Sequence, residues 1–138
     1  MEVFKLNIGA VLVSGAAYWI IGSLWFSVVV GKLWQAEIEK QGIVIKEPTK
    51  GQVVAKMLTT LLYNIMVAAG AGMVVAAAHS ETLLSGLTLG IVLGICFPFA
   101  MLGIAYIWES RSFKLLLADA GYAMIGITVC CIIQSLWK

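Results

Sequence analysis

The residue with most chemical potential is Asp119, a lone carboxylate inside the apolar stretch 113–137. It lies six residues into that stretch, about 9 Å along a helix rising 1.5 Å per residue. A carboxylate at such depth in a membrane costs a few kcal/mol, on the order of 3, unless it is paired or hydrated. Two chemistries meet that demand. Asp119 could be a hydrogen-bonded clamp that fixes helix register, or a site that binds a cation, a proton or a polar headgroup. Helical spacing places Tyr122, Ala123, Gly126, Cys130 and Gln134 on the same stripe as Asp119.

Groups expected at the same depth come from every other apolar stretch. They are Trp25 and Ser27, then Lys56, Thr59 and Thr60 with Tyr63 and Asn64 just deeper, and then Tyr106 with Glu109 at its end. The candidate polar or ligand layer is therefore Trp25, Ser27, Lys56, Thr60, Asn64, Asp119 and Tyr122. A dry, fully paired layer around Asp119 would mark a binding or scaffold protein, the class that asks least of the sequence. A wet cavity reaching Asp119 with Asn64 in the same opening would mark a transporter or channel for an ion, a proton or a small solute. A membrane-embedded enzyme ranks third. The single histidine, His79, shares a tight loop with Ser80 and Glu81, and consecutive turn residues cannot converge as a triad. No HExxH, GxSxG or phosphate-loop motif occurs. Cys96, Cys130 and Cys131 lie in apolar runs without a CxxC or Cys/His grouping, so no metal or cofactor is expected.

The elements that must position these groups follow from composition. Of 138 residues, 62% are hydrophobic and 12% charged, and the mean hydropathy is +1.01. Soluble domains carry about 25% charged residues. Four apolar runs, about 6–30, 53–78, 83–108 and 113–137, are each long enough to cross a hydrocarbon core about 30 Å thick. Their continuity excludes the alternating pattern of a barrel. The first run exceeds a signal peptide's apolar region of about 7–15 residues and is read as a retained helix. The expectation is all-α: one membrane domain, a bundle of four transmembrane helices.

The connection between the first two helices is longer than the others. Its segment from Lys32 to Gln41 mixes Leu33, Trp34 and Ile38 with charges, as an amphipathic interfacial helix would, with Trp34 as anchor. Pro48 and Thr49 punctuate the start of the second helix. Loops one and three with their flanks hold Lys32, Lys40, Lys46, Lys50, Lys56, Arg111 and Lys114, whereas the opposite side holds Lys5 and Lys138. The positive-inside rule then predicts a multi-pass protein of the cell membrane with both termini outside and loops one and three cytoplasmic. A net charge of +2 gives no reason to expect nucleic acid as a partner. The bilayer is the expected partner, with a bound lipid or small polar ligand as a further one.

Gly86, Gly90 and Gly94 recur at spacing four on the third helix, and Ser23, Ser27 and Gly31 on the first. Such faces let backbones approach closely, within a chain or between chains, and a homo-oligomer is the expectation. Pro98, lacking an N–H, predicts a kink near Gly94–Pro98.

Four segments together resemble a known family. Gly22-Ser23-Leu24-Trp25-Phe26-Ser27, then Gly31-Lys32-Leu33-Trp34, then Glu109-Ser110-Arg111-Ser112, then Asp119-Ala120-Gly121-Tyr122 are similar to the pattern of the DUF1761 family, in order and along almost the whole chain. Phe26, Val28 and Val30 stand where that family typically has tyrosine, proline and phenylalanine. The resemblance implies a small four-helix membrane protein in which Trp25, Ser27, Trp34, Asp119 and Tyr122 belong together. It implies no substrate and no reaction.

Overall fold

The structure is a computed structural model and describes residues 5–138. Every element among the described residues is helical. Helix α1 (Ile8–Leu24) starts where the Asn7 side chain accepts from the Ala10 N–H at 3.0 Å, satisfying one of the amides a helix start leaves without a partner. It runs into a π-helical turn, Trp25–Val29, closed by Val30 N–H donating to the Trp25 carbonyl at 2.9 Å. The short helix α2 (Gly31–Lys40) follows at once. A Cβ at Gly31 would collide with the Phe26 carbonyl, so this sharp junction depends on glycine.

Helix α3 (Lys50–Ala77) opens on a capping box in which Thr49 and Gln52 satisfy each other's backbone N–H. It therefore begins three residues before the run expected from hydropathy. Helix α4 (Leu83–Gly94) opens on the equivalent box between Thr82 and Ser85. A π-helical turn, Ile95–Phe99, contains Pro98 and leads into α5 (Ala100–Trp108). The expected distortion is thus a widened turn, which accommodates the missing N–H without ending the helix. Helix α6 (Phe113–Leu136) is capped by Ser112, whose hydroxyl accepts from Leu115 N–H at 3.1 Å.

Both tight hairpin turns close in the same way. Ser80 N–H reaches Val75 O and His79 N–H reaches Ala76 O; Arg111 N–H reaches Tyr106 O and Ser110 N–H reaches Ile107 O. These are Schellman closures, and they put His79 (φ 50°) and Ser110 (φ 55°) in the left-handed region. Four spans, Ile8–Val29, Lys50–Ala77, Leu83–Trp108 and Phe113–Leu136, are long and apolar enough to cross a membrane. Large apolar residues such as Ile107 (78% exposed) and Leu84 (71%) face outward, where lipid rather than water is the fitting solvent.

Helix α6 is central and packs against α4, α1 and α3. Its contact with α4 is backbone to backbone. A Cβ at Gly90 would fall on Thr128 Cα, one at Gly86 would lie 3.0 Å from Ile132 Cα, and one at Gly94 would lie 3.1 Å from Met124 Cα. The glycine face is therefore occupied within the chain. One core cluster gathers Val11, Tyr18, Ala68, Ala71, Val75, Cys130 and Cys131. A second, at the α2 end, gathers Ile38, Tyr106, Leu115, Leu116 and Ala120, with Trp34 packed on it.

Candidate functional site

Asp119 sits on the second turn of α6, facing α2 and α5. Its Oδ1 accepts from Trp34 Nε1 on α2 at 3.1 Å, and its Oδ2 accepts from the Tyr106 hydroxyl on α5. Each carboxylate oxygen thus has a donor from a different helix, and hydrogen bonds to a charged acceptor are the stronger kind. Next to Asp119, the Ala118 carbonyl accepts from Trp25 Nε1 at 2.8 Å. That bond ties the π-helical turn after α1 to α6, and the Trp25 ring lies over Gly121.

Aromatic rings extend from Asp119 and Trp34 into the bundle. Phe26 meets Trp34 edge-on at 6.0 Å and Tyr122 edge-on at 5.4 Å, and Tyr122 meets Tyr18 at 4.8 Å. The two tyrosines fit because glycines lie beneath them. A Cβ at Gly22 would be 2.5 Å from the Tyr122 ring, and one at Gly126 would fall inside the Tyr18 ring. The Tyr122 hydroxyl donates to Asn64 Oδ1 at 3.0 Å. Asn64 is 3% exposed, and its Nδ2 has no partner among the described residues.

Polar groups also gather where α2 meets the start of α6. Glu37 is buried and accepts from Lys40 Nζ at 3.2 Å. A hydrogen bond from the Ser112 hydroxyl, followed by that from Lys40, holds the Glu37 carboxyl below its ordinary value. Ser112, the cap of α6, thus also neighbours Glu37 of α2. Beside it, the Arg111 guanidinium lies 5.3 Å from the centre of the Tyr106 ring and pairs with Glu109 at 2.5 Å.

Trp25, Trp34, Asp119, Tyr122 and Asn64 are therefore brought into one connected assembly, with Asn64 joined through Tyr122 rather than directly to Asp119. Trp34, expected as an interfacial anchor, puts its indole N–H on the carboxylate. Ser27 stands apart: it is exposed and donates to the Ser23 carbonyl of its own helix at 2.5 Å. Lys56 and Thr60 are exposed as well, and Thr60 donates to the Lys56 carbonyl at 2.8 Å. Both line a lateral cavity of about 310 Å³ that Tyr122 also borders. Asp119 is not among its lining residues.

Sequence reasoning left Tyr18, Glu37 and Ser112 out of the layer. Tyr18 carried a readable signal, standing four residues before Gly22 and seven before Trp25 on one helical face. At the far end of the bundle, Gln134 Nε2 donates to Ser14 Oγ at 3.1 Å and to the Ala68 carbonyl at 2.7 Å. Ser80 bonds both Ser85 and Ser135 there. These contacts link α1, α3 and α6, and the α3–α4 turn to α6.

A family model described as "Protein of unknown function (DUF1761)" matches residues 9–135. No curated protein and no solved structure matches the chain.

Proposed function

The chain belongs to the DUF1761 family, and from that premise we propose that it is a membrane-embedded binding scaffold in which Asp119 holds the interfacial helix α2 against the bundle. The observation that supports this reading is the pairing of both carboxylate oxygens, one with Trp34 and one with Tyr106. A carboxylate so engaged has its charge compensated by fixed donors, as a clamp requires. A transport path through Asp119 draws less support, because Asn64, the second polar group such a path would use, bonds Tyr122 instead. In this reading the protein is multi-pass in the cell membrane. The excess of basic residues favours α2 and loops one and three on the cytoplasmic side, where α2 offers Lys32, Leu33 and Gln35 to partners. The glycine stripe of α4 packs on α6, so a homo-oligomer of the scaffold uses another surface. The exposed edge carrying Ser23 and Ser27 is one small-residue face outside the α4–α6 contact.

The test is amide hydrogen exchange of the protein in lipid nanodiscs. Asp119→Leu removes two bonds. At about 0.6 kcal/mol each for intramembrane polar contacts, or about 1.5 kcal/mol or more for bonds to a charged group, exchange in α2 should rise about tenfold or more while α4 keeps its protection. Asp119→Asn retains one acceptor and should show a smaller rise. Unchanged protection of α2 in Asp119→Leu would refute the clamp.

A further inference from the structure

Residues 50–60, the first three turns of α3, are exposed on every side, although they belong to a span long and apolar enough to cross a membrane. Further along, α3 packs closely, and a Cβ at Gly15 of α1 would lie 2.9 Å from Ile65 Cγ1. The two helices therefore diverge towards the α2 end. A hydrogen bond spans the gap, from Trp19 Nε1 to the Met57 carbonyl at 3.1 Å. The space behind it is the lateral cavity of about 310 Å³, at the lower end of the roughly 300–1,000 Å³ typical of small-molecule sites.

The chemistry of this cavity is one-sided. Trp19, Phe26 and Met57 give apolar walls, Tyr122 lies between α1 and α3, and Lys56 and Thr60 supply the polar groups. None of its lining residues carries a carboxylate. Lys56 makes no ion pair among the described residues, in contrast to Lys40 and Arg111. It stands six residues after Lys50, about 9 Å along the helix. A lysine at that depth can extend its ammonium to the headgroup level while its methylenes stay in apolar surroundings. A cation without a protein partner among the described residues, beside an apolar recess on a lipid-facing helix, matches a ligand with an anionic head and a hydrocarbon tail.

We propose that this cavity binds one anionic phospholipid, with its phosphate on Lys56 and part of an acyl chain between Trp19, Phe26 and Met57. The proposal deepens the scaffold reading and rests on it in one respect. Phe26 packs on Trp34, and Trp34 is held by Asp119.

Native mass spectrometry of the full chain from a mild non-ionic detergent tests it. The protein is offered equal amounts of phosphatidylglycerol and phosphatidylcholine with identical chains. The wild type should retain one lipid, phosphatidylglycerol favoured about fivefold, the value of one lysine near a membrane surface at about 1 kcal/mol. Lys56→Gln should bring the preference to about one. Lys32→Gln, which alters an exposed lysine of α2, should leave it intact. Thr60→Trp should fill the recess and remove both adducts. The proposal is overturned if the wild type retains no lipid, if Lys56→Gln keeps the preference, if Lys32→Gln abolishes it equally, or if Thr60→Trp binds as before. Hydrogen exchange of α2 in the same variants separates this failure from that of the clamp. Lys56→Gln should lose lipid selectivity with α2 still protected, whereas Asp119→Leu exposes α2 whatever lipid is present.

Discussion

Replacing the α4 glycines by alanine tests whether their face packs within the chain. At Gly90 the added methyl would land on Thr128 Cα, a backbone atom that cannot rotate aside, and 2.9 Å from Thr128 Cβ. At Gly86 it would stand 2.9–3.0 Å from Ser135 Oγ, the Cys131 carbonyl and Ile132 Cα, and at Gly94 3.1–3.2 Å from Met124. Overpacking of this kind costs about 1–3 kcal/mol, while alanine for glycine inside a helix returns about 0.5–1 kcal/mol. The net destabilisation expected for Gly90→Ala is about 1–2 kcal/mol, with Gly86→Ala next and Gly94→Ala near zero. Two internal controls reverse the sign. A methyl added at Gly70 would have nothing within 4 Å, and one at Gly103 would meet only Leu116 Cδ2 at 3.8 Å, so alanine at either should stabilise. Reversible unfolding in mixed detergent micelles, followed by circular dichroism, gives the ranking. The variants are compared at several protein concentrations, because a face packed between chains would make the loss depend on concentration. Gly90→Ala as stable as Gly70→Ala, or a loss that disappears on dilution, would refute the intrachain packing of α4 on α6.

Two further outcomes follow from named contacts. The Glu37 carboxyl is held below its usual 4.5 by the Ser112 hydroxyl and by Lys40; a depressed folded value stabilises docking of α2 above that pH and loses the effect as pH falls through the folded value, so α2 exchange should accelerate in acid below about 4.5, and Glu37→Gln should flatten the profile. Asn64→Ala removes the bond to Tyr122, worth about 0.6 kcal/mol, together with an unpartnered Nδ2 whose burial costs about 1–3 kcal/mol; thermal unfolding should therefore stay within about 1 kcal/mol of wild type or improve, and a much larger loss would mean that Nδ2 has a partner in the membrane.

The four spans were legible because lipid enforces a simple rule, that each crossing be a continuous apolar helix with its backbone satisfied internally. The interfacial helix was legible for a related reason, since Leu33, Trp34 and Ile38 alternate with charges at helical spacing. Asp119 also stood out, because one carboxylate in a hydrocarbon layer has to find a partner. Its partners could not be read in the same way. Depth along each helix was the available coordinate, and depth says nothing about lateral distance. Lys56 and Thr60 share the layer by that measure, but α3 diverges there and leaves them exposed. Ser27 shares it too, but faces out from the π-helical turn.

The case of Trp34 shows how the same property supports two roles. An indole is read as an interfacial anchor because it joins an apolar body to one polar N–H. That combination also suits it to enter the Ile38–Tyr106–Leu115 cluster from the side and deliver its N–H to a carboxylate. The choice between the roles depends on how far α2 folds back onto the bundle. That in turn depends on the π-helical turn Trp25–Val29, the Trp25 bond to Ala118 and the tight junction at Gly31. Of these, Trp25 and Gly31 lie in the segments through which the family resemblance runs. Since α2 reaches Asp119 through that junction, a variant that straightens the turn while leaving Asp119 in place should release α2 as fully as removal of the carboxylate itself.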